Sequence, residues 1–159
     1  MAYQIVDPLG MQAANDTSTT QRHPLGSRAL AYDPSYGEAE LIYLKGVAGT
    51  AVGSVVVYDA KNGTTTLAVA ASKGPAAVAL SANVASQYGW YAVKGSVVPV
   101  LCAAADAAGA LQYVTAVAGV VDDAVVAGQG IDGLINLTLV GGAQALSDCE
   151  VNYPNIGAL

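Results

Sequence analysis

The chain has 159 residues, enough for one domain with a substantial core and too few for two domains of ordinary size. Hydrophobic residues make up 53 % of it and charged residues only 11 %, whereas ordinary soluble domains carry about 25 % charged residues. The net charge is −6 and only six residues are basic, which argues against a nucleic-acid partner and against binding to anionic membranes.

Residues 1–35 differ in character from the rest of the chain. The stretch AANDTSTTQRHPLGSR is polar and has no hydrophobic period, so we predict an extended or flexible N-terminal arm at 1–35 and a single β domain at 36–159. Two interpretations of the arm remain open: a disordered tail, or an arm that becomes ordered on a neighbouring molecule. On the second interpretation Arg22, His23 and Arg28 are candidate interface residues.

The first ten residues, MAYQIVDPLG, contain no basic region followed by an apolar core, so they do not predict a secretion signal. We expect synthesis in the cytoplasm, where thiols stay reduced. Cys102 and Cys149 are therefore expected to be buried, unpaired and apolar in behaviour. The longest apolar runs are short or interrupted, so no membrane span is predicted.

From residue 40 onwards, short apolar runs alternate with Gly, Asn and Pro. The first strands are predicted at 41–44 and 53–58, and the pair Asn62-Gly63 predicts a hairpin that joins the second of these to a strand at 64–70. Further strands are predicted at 76–84, 87–93, 111–114, 131–140 and 151–154.

Three features in the second half interrupt this pattern. Pro99 predicts a sheet edge or a β-bulge. Residues 103–110 are a marginal candidate for a short helix, and residues 122–128 for a single helical turn. The regular spacing of short strands nevertheless predicts an all-β barrel or sandwich with at most one or two short helices.

No arrangement of residues predicts catalysis. The one histidine, His23, lies in the polar arm, and the nucleophile motif G-x-S-x-G is absent. Residues 128–133 match G-x-G-x-x-G, but a dinucleotide site needs a helix after the motif and an acid about twenty residues later. We interpret these glycines as turn residues, and we predict neither an enzyme nor a cofactor.

The sequence does not predict a metal site. Cys102 and Cys149 are far apart in sequence and no second histidine is present, so zinc ligation is unsupported. Glu38 with Glu40 and Asp122 with Asp123 supply oxygens that calcium could use, but no loop has the alternating acids of an EF-hand. We interpret both pairs as solvated or helix-capping acids.

The aromatic cluster Tyr88, Trp90 and Tyr91 is conspicuous in a chain with one Trp and no Phe. Alternation along a strand places Tyr88 and Trp90 on one face and Tyr91 on the other. Trp90 is predicted to be a core residue, and Tyr88 and Tyr91 are candidate interface residues, since aromatic side chains dominate binding hot spots. A sugar-binding platform built from these three side chains is a further hypothesis.

Three stretches together resemble a known family: YGEAELIYLKGVAGTAVGSVVVYD, KGPAAVALSANVASQYGWYAVKGSVV and AGVVDDAVVAGQGIDG. Their order of Lys-Gly, Gly-Ser-Val, Gly-Pro, Gly-Trp and Asp-Asp features is similar to that of the decoration, or cement, proteins of tailed bacteriophage capsids. The resemblance covers roughly residues 36–135, and it does not extend to the N-terminal arm or to the last two dozen residues.

The resemblance implies a compact domain of the β-barrel or β-tulip kind, located on the capsid surface of the virion. It implies binding to the major capsid protein and to copies of itself, as a trimer or a dimer, and it carries over no catalytic residue. The low charge is consistent with a surface that other subunits cover. A tail or fibre component and a carbohydrate-binding β module remain alternative hypotheses.

Overall fold

The computed structural model describes residues 3–6 and 13–157 of the chain. All regular secondary structure in these residues is β, as the sequence predicts, and no helix occurs among them. The strands are β1 (Gln4–Ile5), β2 (Arg28–Asp33), β3 (Gly37–Lys45), β4 (Val55–Tyr58), β5 (Thr65–Leu67), β6 (Gly74–Ala79), β7 (Tyr88–Cys102), β8 (Leu111–Val114), β9 (Val121–Asp122), β10 (Gly130–Asn136) and β11 (Ala145–Ile156).

The strands form one sheet that partly closes on itself. Its order is β1-β2-β3-β7-β9-β8-β10-β11-β6-β4-β5, and β7 also pairs with β11 and β6. An isolated bridge between Lys45 and Thr64 links the end of β3 to the start of the β5 segment. These cross-links produce a small β-barrel-like domain, in which closure removes most of the free strand edges.

β7 is the central strand of this arrangement. It runs for 15 residues and pairs with β3, β6, β9 and β11. Its register against β11 shifts between the pairs Cys149–Val98 and Val151–Gly95, which places an extra residue of β7 at 96–97. The irregularity predicted at Pro99 is therefore a bulge just before it, and the strand continues past it.

Alternating side chains fill two separate apolar clusters on opposite faces of the sheet. The larger cluster contains Trp90 and Tyr43, and the smaller one contains Tyr91, Ile42 and Leu44. Trp90 and Tyr91 are neighbours in sequence, are completely buried and face opposite ways. The predictions that Trp90 is a core residue and that Tyr91 lies on the other face are confirmed.

The candidate helices at 103–110 and 122–128 are turns. Ala105 and Gly109 have φ values of 64° and 79°, in the left-handed region that a right-handed helix cannot contain. Asp122 ends β9 instead of beginning a helical turn. Alanine has a high helix propensity, but so short a segment between two strands does not overcome the cost of helix nucleation.

The boundary of the predicted arm needs correction. β2 lies within residues 1–35, yet it pairs with β3 along its whole length, from Arg28–Ile42 to Asp33–Gly37. Tyr3 is buried and its hydroxyl donates a 2.6 Å hydrogen bond to the carbonyl of Val97. The sheet therefore includes part of this segment, whereas residues 1–2 and 7–12 of the predicted arm lie outside the described residues.

Within the described ranges, no helix is long and apolar enough to cross a membrane.

Candidate functional site

One surface of the sheet is exposed across four neighbouring strands. Strand register aligns Leu30 of β2 with Glu40 of β3, Glu40 with Lys94 of β7, and Lys94 with Asn152 of β11. Alternation adds further residues of the same strands on the same side, and Tyr153, whose φ is 48°, joins them through a hydrogen bond to Glu40. We call this surface the Glu40 face; it comprises Arg28, Leu30, Tyr32, Glu38, Glu40, Lys94, Ser96, Glu150, Asn152 and Tyr153.

A groove of about 390 Å³ crosses the Glu40 face. Its floor includes the small residues Ala39 and Gly95, which are paired across β3 and β7, and its walls carry Leu30, Glu40 and Lys94. A side chain at Gly95 would approach the Val98 methyl group to 2.7 Å. Gly95 therefore has no room for a side chain on the core side of β7, where Val98 and Ala39 are buried.

Polar contacts hold the side chains of the Glu40 face in place. Arg28 Nη1 lies 2.9 Å from Glu40 Oε1, and the Tyr153 hydroxyl donates a 2.5 Å hydrogen bond to Glu40 Oε2. That hydrogen bond raises the pKa of Tyr153 above its usual value. The Lys94 ammonium lies 5.6 Å from the centre of the Tyr153 ring, within cation–π range. Glu40 thus links the first and last parts of the chain.

Of the five residues predicted for an interface, only Arg28 belongs to the Glu40 face. Arg22 is exposed, and its backbone N–H donates to the Tyr43 hydroxyl. The His23 ring is half-buried, with its centre 5.1 Å from that of Tyr43 and 5.3 Å from that of Trp90. His23 therefore packs at the edge of the aromatic core, and no side chain of the described residues forms a hydrogen bond with its Nε2.

The two predicted tyrosines differ in accessibility. Tyr88 is half-buried and stacks on Tyr43, with ring centres 6.3 Å apart. Tyr91 has no exposed surface, and its hydroxyl accepts a 3.0 Å hydrogen bond from Asn83 Nδ2. Tyr91 was predicted as an interface residue, and the structure corrects this: a partner cannot reach its side chain, because alternation on β7 turns it into the smaller apolar cluster.

A second cluster of polar side chains lies where the loop after β7 meets β8 and β9. Asp106, Asp122 and Asp123 place carboxylate oxygens within 4.8 Å of one another. Asp106 is completely buried, and the other two are half-buried. We call these three residues the aspartate cluster. It is the one group of three or more acidic, histidine or cysteine side chains in metal-binding proximity among the described residues.

N–H groups orient all three carboxylates of the aspartate cluster. Gln112 Nε2 donates to Asp106 Oδ1 at 3.0 Å, and the Ala107 N–H donates to Asp123 Oδ2 at 3.0 Å. The Asp123 N–H donates to Asp122 Oδ1 at 2.8 Å. Burial raises the pKa of Asp122 above its ordinary value, and the neighbouring Asp123 adds to the increase while its N–H opposes it.

The two cysteines lie beside the aspartate cluster. Their sulfurs are 3.9 Å apart, and both are free and buried, as the sequence predicts. The contact with Cys149 and then burial raise the pKa of the Cys102 thiol, and Asp106 raises it further. A thiol whose pKa is raised is a poor nucleophile at neutral pH, so the pair is not suited to nucleophilic chemistry.

Sequence reasoning missed the aspartate cluster because its members come from separate segments. Asp122 and Asp123 were interpreted as solvated or capping acids, but they are half-buried and cap no helix. The available signal was Asp106, the one acid in the alanine-rich stretch 102–110. A charged residue surrounded by small apolar residues indicates a buried ionisable group, but its spatial partners become clear only in the fold.

No protein-family model, no curated protein and no solved structure matches the chain.

Proposed function

We propose that the protein is a structural component of a bacteriophage virion, a cement protein that binds the outside of the assembled capsid and stabilises it. Its partners are the major capsid protein and further copies of itself, as a trimer or a dimer. The Glu40 face carries this proposal, because it is an extended, ordered surface that combines exposed apolar side chains with fixed charges.

The composition of the Glu40 face fits a protein partner. Leu30, Tyr32 and Tyr153 are 55 %, 46 % and 49 % exposed, although each side chain is largely apolar. Single exposed apolar residues are common on soluble proteins, but here three share one face of the sheet, and Leu30 also lines its groove. Tyrosine is enriched at protein interfaces, where its ring buries a large area and its hydroxyl finds a partner.

The fixed conformation of side chains on the Glu40 face also favours binding. Glu40 is held by Arg28 on one side and Tyr153 on the other, so these side chains lose little further freedom when a partner binds. Pre-ordered groups reduce the entropic cost of association.

The stabilising mechanism is mass action. A protein that binds the assembled shell, and not its separate subunits, shifts the equilibrium towards the shell. Each copy need contribute only modestly, because a capsid offers many equivalent sites. An interface of about 1,200–2,000 Å² is the usual size for such a contact, and it would occupy the Glu40 face together with its surroundings.

The test is sedimentation of the purified protein with expanded phage heads that lack a decoration protein, followed by a thermal melt of the heads. We expect binding at a fixed ratio to the major capsid protein and a higher melting temperature of the shell. If the protein binds no head state, the cement function is wrong, and localisation of the protein within a virion by immunogold labelling then tests the tail or fibre hypothesis.

The carbohydrate-binding hypothesis has no comparable observation in its favour. Trp90 and Tyr91 are completely buried, so neither ring can stack on a sugar in this structure. Tyr88 alone of that cluster reaches the surface.

A further inference from the structure

Two buried oxygen atoms, one in the aspartate cluster and one in a side chain bonded to it, lack hydrogen-bond donors among the described residues. Asp106 Oδ2 and Gln112 Oε1 are both inaccessible to solvent, and no donor among the described residues bonds to either. The Cys102 thiol lies near the Asp106 carboxylate, but a thiol is only a weak donor. Buried acceptors of this kind are rare in folded proteins and indicate a missing partner.

Among the described residues, no basic side chain forms an ion pair with the aspartate cluster. Three carboxylates within 4.8 Å of one another repel strongly when ionised, and a buried carboxylate without a counter-charge is costly. A cation at the centre of the cluster would remove both penalties.

We propose that Asp106, Asp122 and Asp123, together with the amide oxygen of Gln112, form a calcium-binding site. All four donors are oxygens, which calcium prefers, and calcium accepts irregular arrangements of six to eight ligands. Magnesium is less suitable because it requires near-ideal octahedral geometry. Asp122 and Asp123 are half-buried, so the ion and its water ligands have a route from solvent.

Strand pairing explains how Gln112 reaches the site. β8 pairs antiparallel with β9 through Tyr113–Asp122 and Val114–Val121, and Gln112 precedes Tyr113 at the end of this ladder where Asp123 follows Asp122. The Gln112 Nε2 group donates to Asp106 Oδ1, which leaves Oε1 of the same amide as the free donor atom for a metal. If the Gln112 amide were turned over, its oxygen would face the Asp106 carboxylate, and two acceptors cannot form a hydrogen bond. The hydrogen bond therefore fixes the orientation of the amide.

The separation of the ligands along the chain explains why no calcium motif is visible in the sequence. Asp106 belongs to the loop after β7, Gln112 to β8, and Asp122 to β9. A bound ion would therefore connect three segments that strand pairing joins only briefly, since β9 has two residues and its pairing with β7 has a single register position. The expected consequence is greater stability of this end of the domain.

The first experiment measures thermal unfolding of the purified full chain in millimolar calcium and in a chelator. The wild-type protein should melt about 5 °C higher in calcium, as expected for an ion well above its dissociation constant, and magnesium should produce a smaller shift. Asp106→Asn and Asp122→Asn should lose the calcium-dependent shift. Asp132→Asn, an exposed residue of β10, removes the same charge outside the cluster and should retain the shift.

A spectroscopic experiment locates the ion independently. Terbium substitutes for calcium and emits when a nearby tyrosine is excited, and Tyr113 pairs directly with Asp122 across β8 and β9. We expect sensitised terbium emission that calcium displaces, that Asp122→Asn abolishes and that Tyr113→Phe strongly reduces. Tyr113→Phe should keep the calcium-dependent shift in melting temperature, because the ring supplies no ligand.

Several results would overturn the calcium site. One is an identical melting temperature of the wild-type protein in calcium and in chelator. Another is a calcium response that Asp106→Asn and Asp122→Asn both retain, which would mean binding elsewhere on an acidic protein. Terbium emission unaffected by Tyr113→Phe would likewise place the ion away from the aspartate cluster. None of these measurements requires a phage head, so their outcome is independent of the cement function.

Discussion

The side-chain amide of Asn83 donates a 3.0 Å hydrogen bond to the hydroxyl of Tyr91, and both side chains are buried. This bond ties the loop after β6 to the central strand β7 at the edge of the smaller apolar cluster. The loop fits tightly there, since a side chain at Gly46 would come within 2.0 Å of the Asn83 carbonyl oxygen. Tyr91 is therefore a structural residue whose polar end is used for the fold.

Replacement of Tyr91 by Phe should destabilise the domain by about 1–3 kcal/mol, because Asn83 Nδ2 would be left buried without its acceptor. Urea unfolding followed by Trp90 fluorescence measures the change. Tyr58→Phe is the matched control: Tyr58 packs against the same cluster but its hydroxyl makes no hydrogen bond to the described residues, so its effect should stay within about 0.5 kcal/mol. Equal effects of the two substitutions would contradict the assigned role of Asn83.

Stability should fall at alkaline pH. Burial raises the pKa of Tyr91 to about 12 from the usual tyrosine value of 10.0, so folding favours the neutral phenol. Its contribution is complete below the unfolded pKa and is lost as the pH rises from about 10 towards 12. Burial also raises the pKa of Tyr3, which acts in the same direction. Urea unfolding at a series of alkaline pH values should show a falling free energy of unfolding. The fall with pH should be shallower in Tyr91→Phe, and equal slopes in the two proteins would refute the contribution assigned to Tyr91.

The glycines of the G-x-G-x-x-G match should act through backbone geometry. Gly133 has a φ of +78°, and a side chain there would meet the Asn152 carbonyl oxygen at 2.2 Å. Gly133→Ala should therefore cost more than about 1 kcal/mol and disturb the register of β10 against β11. Gly142→Ala, where nothing lies within 4 Å, should be nearly neutral. Chemical denaturation of both variants measures the difference, and a neutral Gly133→Ala would contradict the structural role of that glycine.

Much of the fold follows from local sequence patterns. The hairpin predicted at Asn62-Gly63 is present, with Tyr58 paired to Thr65 and Gly63 at a φ of 66°. The alternation of Tyr88, Trp90 and Tyr91 predicts their faces correctly because strand periodicity depends only on neighbouring residues. These features require no knowledge of distant contacts.

The sites were harder to predict because they depend on long-range pairing. The Glu40 face exists because β2, β3, β7 and β11 become neighbours, which joins Glu40 to Tyr153 across 113 positions of sequence. The aspartate cluster similarly requires the loop after β7 to fold against β8 and β9. Tyr91 was assigned to an interface because aromatic composition alone does not reveal which face of a strand is buried.

An added charge on the Glu40 face should leave the isolated protein stable but weaken its binding to phage heads. Leu30→Asp and Tyr32→Asp change exposed positions, so the melting temperature of the free protein should change little. A new charge at the centre of an interface should weaken binding to phage heads at least about tenfold, as truncation of a hot-spot residue does.

Leu139→Asp is the control, since Leu139 is 69 % exposed but lies in the loop between β10 and β11. If sedimentation with heads shows the same affinity for all three variants and the wild type, the Glu40 face is not the capsid-binding surface. If Leu30→Asp loses binding and Tyr32→Asp does not, the contact is centred on the groove, which Leu30 lines and Tyr32 does not.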